Sequence, residues 1–374
     1  MSLFNVYPLF DITPVKAEDV WVYDDKGVKY LDLYGGHAVI SIGHAQPDYV
    51  KAIQEQVARL GFYSNAIQNP LQEELDQRLG ELSGCLDYQL FLCNSGAEAN
   101  ENALKLASFH NGKSKILAFK NSFHGRTSAA VVATDNPKIV APLNAQQQVD
   151  FVAFGDIEMV KSILEKNETC AVIVEYIQGV GGLDESTTEF YKAVSEICDD
   201  TNTALIADEV QSGYMRTGDF FAFQKHGLTP DIISLAKGMG NGFPIGGILI
   251  HPKFKASYGL LGTTFGGNHL ACAAGISVLK VLKEQSIADN VKKVSNYFME
   301  RAKGLKKLKG IKGRGLMLGL EFDFKVADIR KKLIYDHHIF TGSANNPNLI
   351  RLLPPLTVKE AHFDQFFNSL EKEL

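Results

Sequence analysis

The chain has 374 residues, and its 38 basic and 43 acidic side chains leave a formal charge of −5. With 45% hydrophobic and 22% charged residues, that balance excludes a disordered chain or a fibre, and the lack of any long single-sign block argues against nucleic acid as a partner. At roughly 150 residues per domain, the length suits two or three domains, or one large domain with an appendage.

The opening MSLFNVYPLFDITP has no basic leader, no sustained apolar run and no small-residue cleavage site, so it does not read as a signal peptide. No stretch of ~18 apolar residues occurs, so no membrane-spanning helix is expected. The segment VWVYDDKGVKYLDLY (20–34) predicts two strands around a turn at 25–27. The centre then alternates short apolar runs with stretches of helix length. The runs fall at 89–93, 115–119, 149–154, 170–177, 203–208, 231–236 and 245–250. They do not alternate with polar residues, which is the pattern of strands buried on both faces of a mostly parallel sheet. Helices are expected over 97–109 and 189–200. After Gly267 the pattern predicts a helix to about 284, a strand at 314–322, a helix near 326–336, a strand at 348–353 and a last helix at 358–374. The basic tract GLKKLKGIKGR (304–314) reads as a solvated helix end and turn.

The expected architecture is therefore α/β. A large domain over 48–260 carries a mostly parallel central sheet covered by helices. A smaller α+β domain is built from 261–374, with the N-terminal segment 1–47 joining it. The five cysteines (Cys85, Cys93, Cys170, Cys198, Cys272) are widely spaced and form no CxxC pair. They read as small buried hydrophobes of a reducing, cytoplasmic setting rather than as metal ligands.

Several motifs fail. NGKS (111–114) ends like a phosphate-binding loop, but Ala107 stands where that loop needs glycine. The glycine-rich segments 237–243 and 313–319 do not give GxGxxG between a strand and a helix. No HExxH or GxSxG occurs.

What remains lies at the carboxyl ends of the predicted strands, where open α/β sheets bind ligands. After the run at 89–93 comes NSGAEAN, where Ser95 and Gly96 open a helix whose free N–H groups suit a phosphate. The run at 203–208 ends on Asp208 and Glu209, with Gln211 close behind; a carboxylate there needs a positive partner. The run at 231–236 ends at Lys237, and burial would make that amine a better nucleophile toward carbonyls. Phe123, His124 and Arg126 in SFHGRT offer a ring to stack on a planar ligand and a fork for a carboxylate. Each feature alone has a structural explanation: a helix cap, an ion pair, a lysine reaching solvent. Together they match pyridoxal phosphate, which needs a lysine for its carbonyl carbon and an acid at its pyridine nitrogen.

The segments GVKYLDLYGGHAVISIGHAQP, NSGAEANENALKLA, SFHGRT, EYIQG, ALIADEVQSGYMRTG, SLAKGMGNGFPIGG, GTTFGGNHLACAAG, GRGLMLGLEF and IRLLPPL carry a closer likeness in order and spacing. On them the chain resembles the class III (ornithine-type, fold type I) pyridoxal-phosphate aminotransferases over nearly its whole length. The resemblance implies an aspartate-aminotransferase-like fold. It implies that Lys237 forms the Schiff base with the cofactor and shuttles the proton, that Asp208 pairs with the pyridinium nitrogen, and that Gln211 bonds the ring hydroxyl. Phe123 would stack on the ring, with His124 and Glu175 nearby, Glu175 helping to orient Gln211. Ser95, Gly96 and Ala97 would hold the phosphate, joined by Thr264 of the neighbouring subunit in a homodimer with shared sites. For substrate, the resemblance implies Arg126 on the carboxylate far from the reacting amine, Thr263 from the partner, Asn65, and Arg351 on the α-carboxylate of glutamate.

Within the family, FHGRT and SNA (64–66) are most similar to the acetylornithine branch. That implies transfer of the δ-amino group of N-acetyl- or N-succinylornithine to 2-oxoglutarate, with free ornithine or 4-aminobutyrate as alternative donors and an aminomutase as the alternative reaction. The substrates implied are amino acids and 2-oxo acids. Where the family usually has EPxQGE, this chain reads EYIQGV. Val180 cannot mask a charge as a glutamate would, which leaves Arg351 either open to the site or paired elsewhere.

Overall fold

The computed structural model describes residues 3–374; the first two residues of the opening segment lie outside it. Its strands are, in chain order, β1 (Pro14–Glu18), β2 (Trp21–Asp24), β3 (Lys29–Asp32), β4 (Gln89–Cys93), β5 (Lys115–Phe119), β6 (Val149–Val152) and β7 (Thr169–Val174). They continue with β8 (Ala204–Asp208), β9 (Ile232–Leu235), β10 (Gly246–Ile250), β11 (Leu308–Arg314), β12 (Met317–Phe322), β13 (Ile339–Phe340) and β14 (Leu349–Leu352).

Seven strands form the central sheet in the order β4-β10-β9-β8-β7-β5-β6. From β6 to β9 every pairing is parallel, while β10 runs antiparallel to both β9 and β4. One reversed strand therefore interrupts a sheet whose other six strands point the same way. The carboxyl ends of β4, β5, β7, β8 and β9 consequently open on one edge. Every residue of β7 and β8 is buried, and each Val, Ile or Leu side chain so removed from water contributes roughly 1.5–3 kcal/mol. Helix Gly96–Asn111 covers the sheet with Ala99, Ala103, Leu104, Leu106 and Ala107. It starts at the Ser95 cap and stops at Gly112 in the left-handed region, as its sequence requires.

Both chain ends meet in a second sheet, β1-β2-β3-β13, where β3 runs parallel to β13. A third sheet, β11-β12-β14, is antiparallel. Helices Ile287–Ala302 and Glu360–Glu373 pack together through Phe298, whose ring centroid is 4.9 Å from Phe363 and 5.1 Å from Phe367.

One expectation needs correction. The basic tract at 304–314 is largely a strand, β11, and not a helix end and turn. Its residues are all partly or fully exposed, so no hydrophobic period marks it. Pairing with β12 holds it, as do the ion pairs Lys312–Asp184 at 2.7 Å and Arg314–Glu185 at 3.2 Å. Helices Pro47–Arg59 and Pro70–Ser83, each with proline in its first turn and a side-chain cap from Gln46 or Asn69, also escaped the sequence reading. All five cysteines are buried and free. Among the described residues no helix is long and apolar enough to cross a membrane.

Candidate active site

A cavity of about 360 Å³ lies at the carboxyl edge of the central sheet. Ser95, Gly96 and Ala97 line it from the turn after β4, and Phe123, His124 and Arg126 from the segment after β5. Glu175 enters after β7, Asp208 and Gln211 at the end of β8, and Lys237 after β9. Ten of the sequence-predicted residues thus share one space.

Asp208 is the last residue of β8 and pairs in register with Ser234, three residues before Lys237. It is 4% exposed. Its Oδ2 accepts from Asn100 Nδ2 at 2.8 Å and from the His124 ring at 2.7 Å, and its Oδ1 accepts from the Val210 N–H at 3.1 Å. Three donors suit an ionised carboxylate. His124 is buried, and its bond in the site goes to Asp208.

Lys237 opens a single 3-10 turn with φ 47°, a strained value for a side chain bearing a Cβ. Burial lowers its pKa from the ordinary lysine value; Asp208 and Glu175 oppose that shift, and Arg351 adds to it. Glu175 is 6% exposed and accepts from the N–H groups of Phe123 at 2.8 Å and Gly179 at 2.9 Å. Burial raises its pKa, against the pull of His124. Its hydrogen bonds therefore fix the Phe123 backbone and Gly179 rather than Gln211 itself. Gln211 Oε1 instead accepts from Arg351 Nη1 at 3.4 Å.

At the amino end of helix Gly96–Asn111, Ser95 Oγ accepts from the Glu98 N–H at 3.2 Å, and Ala99 N–H reaches Ser95 O. The N–H groups of Gly96 and Ala97 have no partner among the described residues, so they are free for an anion. Gly96 is required there, since a Cβ would sit 2.6 Å from Val210 Cγ1.

Arg126 is exposed at the rim and forms no ion pair among the described residues. Arg351 lies behind Gln211 and is 3% exposed. It donates to the Gly179 carbonyl, and its guanidinium carbon stands 5.9 Å from the centroid of the Tyr34 ring. No carboxylate pairs with it among the described residues, and its Nε is unpartnered.

Three predicted residues lie elsewhere in the chain. Asn65 and Thr263 line a separate cavity of about 310 Å³, where Asn65 Nδ2 donates to the carbonyls of Thr263 at 3.2 Å and Gly266 at 3.0 Å. Thr264 is exposed. Two contributors went unassigned in the sequence. Asn100 binds Asp208, and its only signal is a polar residue on the buried face of a helix. Tyr34 lies against Arg351, with no signal beyond its place after β3.

The comparisons agree with this geometry. The family description Aminotransferase class-III matches residues 5–374. Acetylornithine aminotransferase of Aquifex aeolicus is 39% identical over 382 residues, covering 100% of this chain and 99% of its own length. Acetylornithine aminotransferase of Methanocaldococcus jannaschii is 39% identical and covers 98% of this chain and 94% of its own. The structure of ornithine aminotransferase from Toxoplasma gondii superposes with a TM-score of 0.90 at 27% identity, covering 98% of this chain and 90% of that one. With the match running nearly end to end and ten predicted residues around one cavity, the chain belongs to the class-III aminotransferase family.

Proposed function

We propose that the enzyme uses pyridoxal phosphate to move the δ-amino group of N-acetyl- or N-succinylornithine to 2-oxoglutarate, giving a semialdehyde and glutamate. The observation that carries this reading is the meeting of the Lys237 amine, the Asp208 carboxylate and the free N–H groups of Gly96 and Ala97 in one cavity. The names of the full-length relatives supply the donor.

The residues fit the cofactor. Gly96, Ala97 and Ser95 offer donors for its phosphate, and the Asp208 carboxylate, oriented by three donors, suits a protonated pyridine nitrogen. Phe123 would cover the ring, Gln211 would meet its hydroxyl, and Lys237 would hold it. When bound, the cofactor supplies an electron sink for the charge left at a carbon that loses its proton. Lys237 moves that proton, since a desolvated amine titrates nearer neutrality than a free lysine. Asp208 keeps the charge opposite it fixed, while Asn100 and His124 keep Asp208 from turning. Arg126, exposed at the rim without a partner, would take the donor's far carboxylate bidentately. Nitrogen leaves one substrate before the other enters, so the kinetics are ping-pong.

The reading includes a homodimer with shared sites, in which Thr263, Thr264 and Asn65 serve the neighbouring cavity. Supporting it, the exposed rings of Phe62, Tyr63 and Phe265 cluster around that segment. A cytoplasmic setting suits the five free thiols.

The test is a half-reaction panel. Holoenzyme is mixed with acetylornithine, succinylornithine, ornithine, 4-aminobutyrate or lysine, and conversion of the cofactor to its amine form is followed by absorbance. The acylated ornithines should convert it fastest, and 2-oxoglutarate should restore the starting spectrum with release of glutamate. Preference for free ornithine or 4-aminobutyrate would defeat the substrate assignment. Turnover without any 2-oxo acid would favour an aminomutase.

A further inference from the structure

Arg126 stands at the rim on a turn that its own side chains do not close. The turn leads from β5 into the short helix Ser128–Val132, whose cap residue is Thr127. A cap hydroxyl ordinarily accepts from the second or third N–H of its helix. Thr127 makes no such bond. Glu101, from the neighbouring helix Gly96–Asn111, makes it instead. Its Oε1 accepts from the Ala130 N–H, the third of the short helix, at 2.9 Å, and from the Thr127 hydroxyl at 2.8 Å. One carboxylate oxygen therefore closes the helix end and also holds the residue that follows Arg126.

The inner side of the turn is pinned separately. Thr134 Oγ1 accepts from the N–H groups of His124 at 2.9 Å and Gly125 at 3.3 Å. Gly125 has φ 145°, and a Cβ there would sit 2.9 Å from the Ala97 Cβ and 3.0 Å from the Ala130 Cβ. The turn thus lies directly on the phosphate cradle. Arg126 is exposed and forms no hydrogen bond or ion pair of its own among the described residues. The place of its guanidinium depends on Gly125 before it and on Thr127 after it. Helix Gly96–Asn111 meanwhile supplies more than Glu101. Its first turn carries the free N–H groups of Gly96 and Ala97, and its Asn100 donates to Asp208 at 2.8 Å. Ala99, Ala103 and Ala107 are buried on its inner face. At 1.5 Å of rise per residue, Glu101 stands about 7.5 Å along the axis from Gly96. One rigid helix consequently sets the separation between the phosphate cradle, Asp208 and the Arg126 turn.

We propose that Glu101 is a positioning residue for the amino donor. Through Thr127 and Ala130 it fixes the Arg126 turn at a set distance from the cradle, and the enzyme thereby selects donors that carry a carboxylate remote from the reacting amine. Arg126 touches the substrate, and Glu101 acts through it. Among the described residues Glu101 forms no ion pair with Arg126, so the guanidinium charge stays open to the donor while the turn is held from behind. Hydrogen bonding at Oε1, rather than the charge of the carboxylate, does the holding. This deepens the transaminase reading and rests on it for the chemistry of the donor.

The test compares unaltered holoenzyme with Glu101→Ala, Glu101→Gln and Thr127→Val. Two donors are followed by the rate of cofactor conversion: acetylornithine and N-acetyl-1,4-diaminobutane, the same molecule without its carboxylate. Binding of N-acetylnorvaline, which keeps the carboxylate and lacks the reacting amine, is titrated calorimetrically. Glu101→Ala should raise the KM for acetylornithine and weaken N-acetylnorvaline about tenfold, while the donor without a carboxylate changes by less than about twofold. Glu101→Gln keeps an oxygen that accepts both bonds and should stay within about threefold of the unaltered enzyme. Thr127→Val loses one of the two bonds and should lose about threefold for the carboxylated donor. Equal losses for both donors in Glu101→Ala would mean that Glu101 only stabilises the fold, and would overturn the proposal. So would N-acetylnorvaline affinity in that variant within about twofold of the unaltered enzyme, or a glutamine variant no better than alanine. Should Glu101→Ala fail to fold or to take up cofactor, Thr127→Val decides alone, and an unchanged preference between the two donors there overturns the proposal. Failure of the unaltered enzyme to convert either donor would instead defeat the transaminase reading, and the N-acetylnorvaline titration would still decide the role of Glu101.

Discussion

Asp208 and Glu209 are consecutive carboxylates, 4% and 1% exposed, whose partners differ in kind. Glu209 accepts from Ser212 Oγ at 2.6 Å and from the N–H groups of Ala222 and Phe223, both at 3.0 Å. It is held within the fold and does not line the site cavity. Asp208 accepts from Asn100, His124 and Val210 and lines the site. Lys237 completes the pair of charges, and burial as the largest influence sets its pKa below the ordinary lysine value of 10.5. A lowered pKa means that the reactive neutral amine appears at lower pH than it would on a free lysine. In cofactor-free protein the rate of pyridoxal phosphate attachment, followed by stopped-flow absorbance, should therefore rise with pH and level off below 10.5. An inflection at or above that value would mean that Asp208 and Glu175 outweigh burial. At this scale the sequence made Lys237 and Asp208 legible only in combination with Ser95, Gly96, Phe123 and Arg126, because each alone has an ordinary structural explanation and only the set matches one cofactor. Asn100 stayed hidden, since its partner Asp208 lies 108 residues away and no local pattern links them.

Among the elements, legibility followed burial. The seven strands of the central sheet were predicted within a few residues of their observed limits because both of their faces are covered. β1 and β11 were missed or misread because they are largely exposed and carry no apolar rhythm. The amino end of helix Gly96–Asn111 shows how tightly one element constrains its neighbour. Gly96 lies against Val210, and the Val210 N–H donates to Asp208. An added methyl at position 96 would push into Val210 Cγ1 from 2.6 Å, disturbing both the anion-binding N–H groups and the carboxylate. Overpacking of this kind costs about 1–3 kcal/mol, so Gly96→Ala should bind pyridoxal phosphate roughly ten- to a hundredfold more weakly. Equilibrium titration of cofactor-free protein measures this directly. Affinity equal to that of the unaltered chain would show that Val210 can yield and that the cradle is not held by this contact.

Across the whole molecule, one side chain ties distant segments together. Arg216 is 2% exposed, and among the described residues no carboxylate forms an ion pair with it. It donates to the carbonyls of Leu316 at 3.1 Å, Pro354 and Ile40 at 3.5 Å. Leu316 lies in the turn between β11 and β12, Pro354 follows β14, and Ile40 precedes the first long helix, so three remote parts of the chain converge on one guanidinium. Burial depresses its pKa to about 9, opposed by the charge of Asp32, which leaves it a cation at neutral pH. The convergence also positions the site, because the segment holding Ile40 carries Val39 of the cavity wall and the segment holding Pro354 carries Arg351, which meets Gln211. Arg216→Leu would remove the donors and leave buried carbonyls unsatisfied, at a cost of about 3 kcal/mol. Melting should fall by several degrees, and protease should cut the segment before residue 47 sooner in the variant than in the unaltered protein. If melting and cleavage are both unchanged, water replaces the guanidinium without loss, and the three segments are held by the sheets β1-β2-β3-β13 and β11-β12-β14 and by apolar packing alone.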